Sequence, residues 1–225
     1  MRWVLLFTAL LAAEDGKQPQ RTQRTQSNCK LLFSAISAIS AVASPRGQPQ
    51  PRMIVDNPRA RVYRSAADDR GPLEHGPAVV VSIDDSDLGT MVWLDDAAAL
   101  PAHVTMRGAI IIVQPRARRP PSPPAGSKPG DAPFTGMSFK PVFENDRVSV
   151  IRARMEVGAQ EGFHTHGSDT IVVHLSGGEI EDTADGKTVV NRWKRGDVEF
   201  EAFGSSHSAR NVGGAVDVVL VALKP

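Results

Sequence analysis

The sequence predicts an all-β protein built as a sandwich or a barrel, and three observations support this fold class. Turn signals recur about every eight to twelve residues in the compact parts of the chain, and no helix-length run shows helical periodicity. The 225 residues include 19 Gly and 17 Pro, which is high for a helical protein and typical of a turn-rich β protein. The apolar runs are short and β-branched, as in Thr170–Leu175.

The predicted strands are clearest in the second half of the chain. Asp185 and Gly186 form a typical two-residue hairpin turn between two β-rich runs. Gly213 and Gly214 indicate another turn before the last strand. The expected strands are Arg147–Met155, Thr170–Leu175, Glu179–Thr183, Lys187–Asn191, Val198–Phe200 and one within Val212–Leu223.

Composition divides the chain into four parts. The first contains two apolar segments, each too short to cross a bilayer as a helix, and the second segment ends at Ala41–Ala43, which is typical of a signal-peptide cleavage site. We expect cleavage after Ala43 and a periplasmic or secreted protein, or a cytoplasmic one if the leader is an artefact of an over-long start. The parts are a leader (1–43), a first compact domain (53–114), a proline-rich linker (115–135) and a second compact domain (136–225).

Charge and cysteine content narrow the choice of partners. The formal net charge of +1 gives no electrostatic case for a nucleic-acid partner, and no membrane association is expected after leader removal. The single cysteine, Cys29, lies in the leader, so the mature chain is expected to contain no disulfide. We interpret the linker's basic residues as solvated charges rather than as a patch for an anionic partner: Arg116, Arg118, Arg119 and Lys128.

Three of the six histidines carry the strongest chemical signal. His164 and His166 are two residues apart, and side chains at that spacing share one face of a strand. His207, on a later strand, could complete one face of a metal site, because imidazole is the commonest protein ligand of transition metals. Three neutral imidazoles leave coordination positions open and add no negative charge. We therefore expect a dicationic centre that attracts an anionic or bidentate oxygen ligand.

The two compact domains resemble each other, which indicates an internal repeat. Leu73 takes the place of His164, so we expect the first copy to be degenerate and to hold no metal. Chance similarity between apolar strands is the open alternative. The matched segments are Asn57–Arg64 with Asn145–Arg152, Leu73–Gly76 with His164–Gly167, Val79–Ile83 with Ile171–Leu175, and then Trp93 with Trp193 and His103 with His207.

The spacing around the three histidines resembles the two motifs of the cupin superfamily, G-x5-H-x-H-x3,4-E-x6-G and G-x5-P-x-G-x2-H-x3-N. Ala202 stands where the second motif has proline. The resemblance covers Gly158–Asn211 and implies a double-stranded β-helix, or jelly-roll, barrel. With the repeat, it implies a bicupin with a degenerate N-terminal barrel and a metal-binding C-terminal barrel. The matching residues are Gly158, His164, His166, Gly177, Gly196, Gly204, His207 and Asn211.

Thr170 stands where the family has a metal-binding glutamate. Its hydroxyl is a much weaker ligand, and the adjacent Asp169 would face the other way on a regular strand. The resemblance therefore implies a three-histidine centre at His164, His166 and His207, similar to those of the thiol and diketone dioxygenases of the superfamily. Fe(II) is favoured, with Mn, Ni, Cu and Zn as alternatives, because imidazole accepts all of these metals.

Other polar residues of this domain are given simpler interpretations. His174 shares a strand face with Thr170, and both are candidates for a substrate contact or a proton relay. The alternative for His174 is a hydrogen-bonded structural histidine. Glu199 and Glu201 are expected to be exposed, and Trp193 is expected to be a packing residue.

Three functions follow from the predicted centre. The first is oxygen-dependent cleavage or oxidation of a small chelating molecule. The second is non-enzymatic binding of a metal or small ligand, because a fold alone does not decide chemistry. The third is a metal-dependent isomerase or hydrolase. The expected partner is a small-molecule ligand or substrate, and the protein is expected to be a monomer or a homodimer.

Overall fold

The computed structural model describes residues 51–67, 73–100, 106–120 and 134–225. The expected leader, His103 and most of the proline-rich linker lie outside these residues. The described ranges form strands and one 3-10 turn, Ala97–Ala99, and they contain no helix long and apolar enough to cross a membrane. The strands are β1 (Arg52–Asp56), β2 (Ala60–Ala66), β3 (Ala78–Ser82), β4 (Met91–Leu94), β5 (Ala109–Pro115), β6 (Thr135–Glu144), β7 (Val148–Thr165), β8 (Asp169–His174), β9 (Gly178–Ala184), β10 (Lys187–Trp193), β11 (Val198–Glu201), β12 (Ser206–Asn211) and β13 (Val216–Leu223).

Strands β6–β13 form one curled antiparallel sheet in the order β10-β9-β12-β7-β13-β8-β11, with β6 also paired to β7. The long strand β7 serves two sets of neighbours. Its first part, Val148–Met155, pairs with β13, and its last part pairs with β12. The β9–β10 hairpin turns at Asp185 and Gly186, whose φ values of 50° and 72° have the sign that the predicted turn requires. The all-β prediction is confirmed.

Strands β1–β5 form a five-stranded sheet in the order β1-β2-β5-β3-β4. The barrel contains the same order in β6-β7-β13-β8-β11. The registers also agree, because Val79 on β3 is paired with Val113 on β5 as Ile171 on β8 is paired with Val221 on β13. The described part of this sheet contains no counterparts of β9, β10 and β12, so a second complete barrel is not confirmed.

The turn that precedes the second strand of each copy is built in the same way. The Asn57 Oδ1 atom accepts the backbone N–H groups two and three residues further on, at 2.8 and 2.9 Å. The Asn145 Oδ1 atom accepts the equivalent pair at the same distances. Asparagine favours such turns because its short side chain reaches its own backbone. The repeat therefore extends from strand order to individual hydrogen bonds.

One of the expected matches within the repeat is wrong. Trp93 on β4 is paired with Val79, and its equivalent in the barrel is Phe200 on β11, which is paired with Ile171. Trp193 instead ends β10, a strand that has no counterpart among the described residues of the first sheet. The error arose because two tryptophans at comparable places in the sequence were matched without knowledge of strand pairing.

The two sheets pack on each other through one apolar core. Arginines cross this interface reciprocally: Arg59 donates to backbone carbonyls at the end of β13, and Arg147 donates to those at the end of β5. The first sheet covers the outer face of the barrel sheet. The apolar residues on that outer face therefore point towards the first sheet and form part of the shared core. The buried members of the core are Ala60, Val62, Val79, Val81, Ile83, Ile111, Val113, Val148, Val150, Ile171, Val173, Leu175, Val219, Val221 and Leu223.

Candidate metal centre

The structure brings His164, His166 and His207 together. His164 on β7 and His207 on β12 are paired across their ladder, and His166 follows directly after β7. The three ring centroids are 4.8 to 4.9 Å apart, and one ring nitrogen of each histidine lies within 4.8 Å of the others. Each side chain retains between 12% and 16% of its exposure. Such convergence in a largely dry site is what a metal centre requires.

Hydrogen bonds decide which ring nitrogen of these histidines is available. The Nδ1 atom of His164 donates to the carbonyl of Gly162 at 2.9 Å, and that of His207 donates to the Asp182 carboxylate at 2.9 Å. A neutral ring with a proton on Nδ1 has a free lone pair on Nε2. The Nε2 atoms of His166 and His207 lie 3.1 Å apart. The donor set therefore fits a divalent transition metal held through Nε2 atoms.

Each of the three histidines has a carboxylate beside it. The expectation of a centre without negative charge is therefore wrong, because it considered only the residues of the motifs. Burial of carboxylates beside imidazoles creates a site that favours cations. The closest atom pairs are His207 Nδ1 with Asp182 Oδ1 at 2.9 Å, His166 Nδ1 with Glu201 Oε2 at 3.5 Å, and His164 Nε2 with Glu161 Oε1 at 3.7 Å.

Proton affinities in the cluster diverge. Burial and the charges of His207 and His164 lower the pKa of His166 to about 4. Burial disfavours the charged form of His207 as well, but the hydrogen bond that it donates to Asp182 and the charge of Glu161 prevail and raise its pKa to about 8. Burial and the charge of Glu199 raise the pKa of Glu201 to about 8. Without a metal the cluster thus retains protons, which an incoming dication would displace.

The expectation that Glu199 and Glu201 are exposed is wrong. On β11 the alternate residues Val198 and Phe200 pack against the core shared with the first sheet. Since side chains alternate along a strand, the two glutamates must face the barrel interior. There they retain 32% and 19% of their side-chain exposure. The sequence suggested the opposite because apolar residues were assigned to the inside of the barrel.

Glu201 also accounts for the carboxylate missing from the first motif. It is paired with Thr170 across the β11–β8 ladder. An acidic side chain from the neighbouring strand therefore lies beside the position where the motif has glutamate. Thr170 itself is buried, and its hydroxyl lies 3.3 Å from that of Ser168.

Asp169 faces away from the histidines, as its place on the strand predicted. Its carboxylate binds Arg59 at 2.7 Å and Arg119 at 3.2 Å and accepts the backbone N–H of Phe203 at 3.0 Å. Burial opposes ionisation of this group, but the hydrogen bond from Phe203 and the two guanidinium groups prevail and lower the pKa of Asp169. Arg119 of the expected linker is therefore bound within the chain rather than solvated.

A cavity of about 100 Å³ adjoins the histidine cluster inside the barrel. His174 lines it and is stacked on Trp193, with ring centroids 4.6 Å apart and planes 16° apart. Trp193 thus packs as expected but also forms part of the cavity wall. His174 is buried, and neither of its ring nitrogens has a hydrogen-bond partner among the described residues. The hydrogen bonds expected of a structural histidine are therefore absent at His174 among the described residues. The other lining residues are Met137, Phe139, Ala153, Arg154, Met155, Glu161, Val172, Ile180, Asp182, Asn191, Glu199, Glu201, His207, Ala209, Val216, Val218 and Leu220.

Solved structures similar to this chain include several cupins. A cupin domain from Bordetella pertussis Tohama I is 24% identical over 40% of this chain and 95% of that chain, with a TM-score of 0.38. KdgF from Halomonas sp. is 18% identical over 42% of this chain and 87% of that chain, with a TM-score of 0.35. The polyketide cyclase RemF from Streptomyces resistomycificus is 15% identical over 41% of this chain and 68% of that chain, with a TM-score of 0.36. No family model and no curated protein matches the chain.

The strand order is the one that the resemblance to the cupin superfamily predicts. Other similar solved structures are described as a cupin superfamily protein and an RmlC-like cupin. The curled antiparallel sheet, with the motif histidines on β7 and β12, is the arrangement that the two motifs imply. Whether the first sheet descends from a complete barrel stays a prediction.

Proposed function

We propose that this protein binds one divalent transition metal through His164, His166 and His207 and acts on a small molecule in the adjoining cavity. The observation that carries the proposal is the convergence of three ring nitrogens within 4.8 Å. Hydrogen bonds donated by the Nδ1 atoms of two of the rings support it, because they leave Nε2 available. Fe(II) is the metal that we favour, with Mn, Ni, Cu and Zn as alternatives.

The residues around the proposed centre orient its ligands and limit access to it. Asp182 holds the ring of His207, and the carbonyl of Gly162 holds that of His164. Phe134 packs edge-on against His164, with centroids 4.9 Å apart, and covers that side of the cluster. A bound dication would polarise an oxygen or sulfur donor of the ligand, which is the chemistry that such a metal supplies.

Two reaction classes remain candidates for the centre. Oxygen-dependent oxidation of a chelating molecule agrees with three imidazole ligands that leave coordination positions open. Proton transfer, as in a metal-dependent isomerase, is favoured by a separate observation. Glu201 lies 3.5 Å from His166 and lines the cavity, so its carboxylate is placed to take a proton from a bound molecule and to return it.

Metal analysis tests the proposed binding. Wild-type protein, reconstituted without oxygen and passed through a desalting column, is expected to retain about one metal per chain by elemental analysis. His207→Ala is expected to retain almost none. His75→Ala is the matched control, because His75 is exposed and binds Asp96 outside the barrel, and it is expected to behave as wild type. Equal retention by His207→Ala and His75→Ala would refute the proposal.

Two activity measurements on the loaded protein separate the reaction classes. Oxygen uptake with a panel of small thiols and diketones is expected for an oxidase or dioxygenase. Exchange of substrate hydrogen with deuterium from solvent, without oxygen uptake, is expected for proton transfer, and Glu201→Gln should then reduce the exchange. Retention of metal with neither activity would favour non-enzymatic binding.

A further inference from the structure

The barrel cavity carries chemistry beyond that of the three histidines. Glu199 and Asn191 line it at the end where His174 is stacked on Trp193. The closest approach between His174 and Glu199 is 3.9 Å, from Nε2 to Oε2, which is too long for a hydrogen bond. His174 is only 1% exposed, and both ring nitrogens lack partners among the described residues. A buried imidazole without partners costs free energy, so this end of the cavity is built for a polar guest.

The charged residues of the cavity indicate the sign of charge that its ligand carries. Four carboxylates line the cavity: Glu161, Asp182, Glu199 and Glu201. The arginine that reaches the same cavity, Arg154, is bound to Glu156 at 2.7 Å and to Asp217 at 2.6 Å, so its charge is already neutralised. Glu199 has no arginine or lysine partner among the described residues. A positive charge is therefore favoured beside Glu199, and an anion is disfavoured.

The other residues that line the cavity and its volume indicate the polarity and size of the ligand. Apolar side chains from six strands, among them Met137, Ile180 and Val218, cover much of the cavity. Trp193 and Glu199 both line the cavity, and aromatic rings attract cations. A cavity of about 100 Å³ admits only a short molecule.

We propose that the end of the cavity formed by His174, Trp193 and Glu199 binds the ammonium group of a short organic amine. Glu199 supplies the counter-charge, and the ammonium group is the polar partner that His174 lacks. The proposed ligand is a short amine whose other end carries an oxygen or sulfur donor for the metal. That second part of the assignment rests on the proposed function.

The test compares three probes of similar size on metal-loaded protein: n-propylammonium, 1-propanol and propionate. Calorimetric titration at neutral pH is expected to show binding of the ammonium ion in preference to the alcohol, and no binding of propionate. Glu199→Gln removes the charge at nearly constant volume, and we expect it to weaken ammonium binding by about tenfold or more. Glu179→Gln is the control, because Glu179 is half-exposed, binds Arg192 and does not line the cavity.

The readouts keep this assignment separate from metal binding. Circular dichroism checks the fold of Glu199→Gln, and elemental analysis is expected to show its metal content unchanged. Preferential binding of propionate, or equal ammonium affinities in Glu199→Gln and Glu179→Gln, would overturn the amine assignment while leaving the metal proposal intact. Loss of metal from wild-type protein would overturn the metal proposal, and ammonium binding to metal-free protein would still support the subsite.

Discussion

The first sheet and the matching half of the barrel differ in what they enclose. Both contain five strands in the same order, and both are joined through one apolar core. On the opposite face of the first sheet, Val80, Ile110 and Ile112 pack with Leu100, which follows the 3-10 turn, in one buried apolar cluster. On the opposite face of the barrel sheet lies the cavity. One architecture thus supports an apolar cluster on this face in one copy and a cavity in the other.

Equivalent positions show how this difference is encoded. The strand registers place Ser82 at the position of His174, Val92 at that of Glu199 and Leu94 at that of Glu201. The positions equivalent to these polar residues therefore hold small or aliphatic residues in the first sheet. The hairpin β9–β10 and strand β12, which carry Asp182, Trp193 and His207, occur only in the barrel among the described residues. The barrel therefore differs from the first sheet both in the side chains at equivalent positions and in the added strands β9, β10 and β12.

The largest effect is expected from a break in the core that the two sheets share. Ile171 is fully buried there, and Ile171→Ala is expected to lower the free energy of unfolding by about 2–5 kcal/mol. Because both sheets depend on this core, Trp93 and Trp193 fluorescence should report one common denaturant transition in single-tryptophan variants. Val190→Ala, at a 40% exposed site on β10, should cost less than about 0.5 kcal/mol. Separate transitions would show that the sheets unfold independently.

Metal binding should stabilise the protein only while the barrel histidines are intact. At a free metal concentration of one hundred times Kd, the expected gain is about 3 kcal/mol, because the metal binds the folded state alone. A chelator should lower the melting temperature of wild-type protein to that of His164→Gln, and it should leave His164→Gln unchanged. An equal chelator effect on both proteins would place the metal elsewhere.

The two reciprocal arginines should not be equivalent. Arg59 reaches the buried Asp169, whereas the Arg147 guanidinium binds the backbone carbonyls of Pro115 and Arg116 and no carboxylate among the described residues. Arg59→Met should therefore cost more than Arg147→Met, by about 2 kcal/mol at neutral pH, since Asp169 keeps Arg119 as a partner. Chemical denaturation of both variants measures the difference.

This difference should depend on pH. The pKa of Asp169 lies below its ordinary value of 3.8, so its contribution is fully present above that value and is lost as pH falls through the lower pKa of the folded state. The gap between Arg59→Met and Arg147→Met should narrow below about pH 4, where the ordinary carboxyl group titrates. A gap that stays constant down to pH 2 would show that Asp169 is not its source.

The smallest expected difference is between the two asparagine turns. Asn57→Ala and Asn145→Ala each remove an acceptor of two backbone N–H groups, so each should cost about 1–2 kcal/mol. The two costs should agree within about 0.5 kcal/mol, the usual uncertainty for such independent sites. Denaturant titration measures both losses of unfolding free energy. A clear difference between them would show that the two turns contribute unequally to stability despite their matching hydrogen bonds.

Local patterns in the sequence predicted much of the barrel. The positive φ values at Asp185 and Gly186 depend on residues in the turn itself, and the pairing of His164 with His207 follows from motif spacing. The roles of Glu161 and Asp182 were not predicted, because they depend on which strands meet: β12 lies between β7 and β9. Acidic residues on strands that flank a suspected ligand strand would have been the signal to examine.

The orientation of β11 could not be predicted from the strand alone. Val198 and Phe200 face outward because another sheet of the same chain covers them, and only that contact directs Glu199 and Glu201 inward. Alternation in a sequence shows that a strand has two faces but does not show which face is inside. The candidate amine subsite therefore became visible only with the packing of the first sheet.

The position of β13 governs when the barrel can form. Val216–Leu223 lies between β7 and β8 in the sheet, although it is the last strand in the sequence. During synthesis, β7 and β8 therefore emerge from the ribosome long before the strand that joins them. Pairings of such large sequence separation form slowly and leave strand edges open meanwhile. The first sheet, whose central strand β5 precedes the barrel, can be complete by then and can shield the outer apolar face of the nascent barrel.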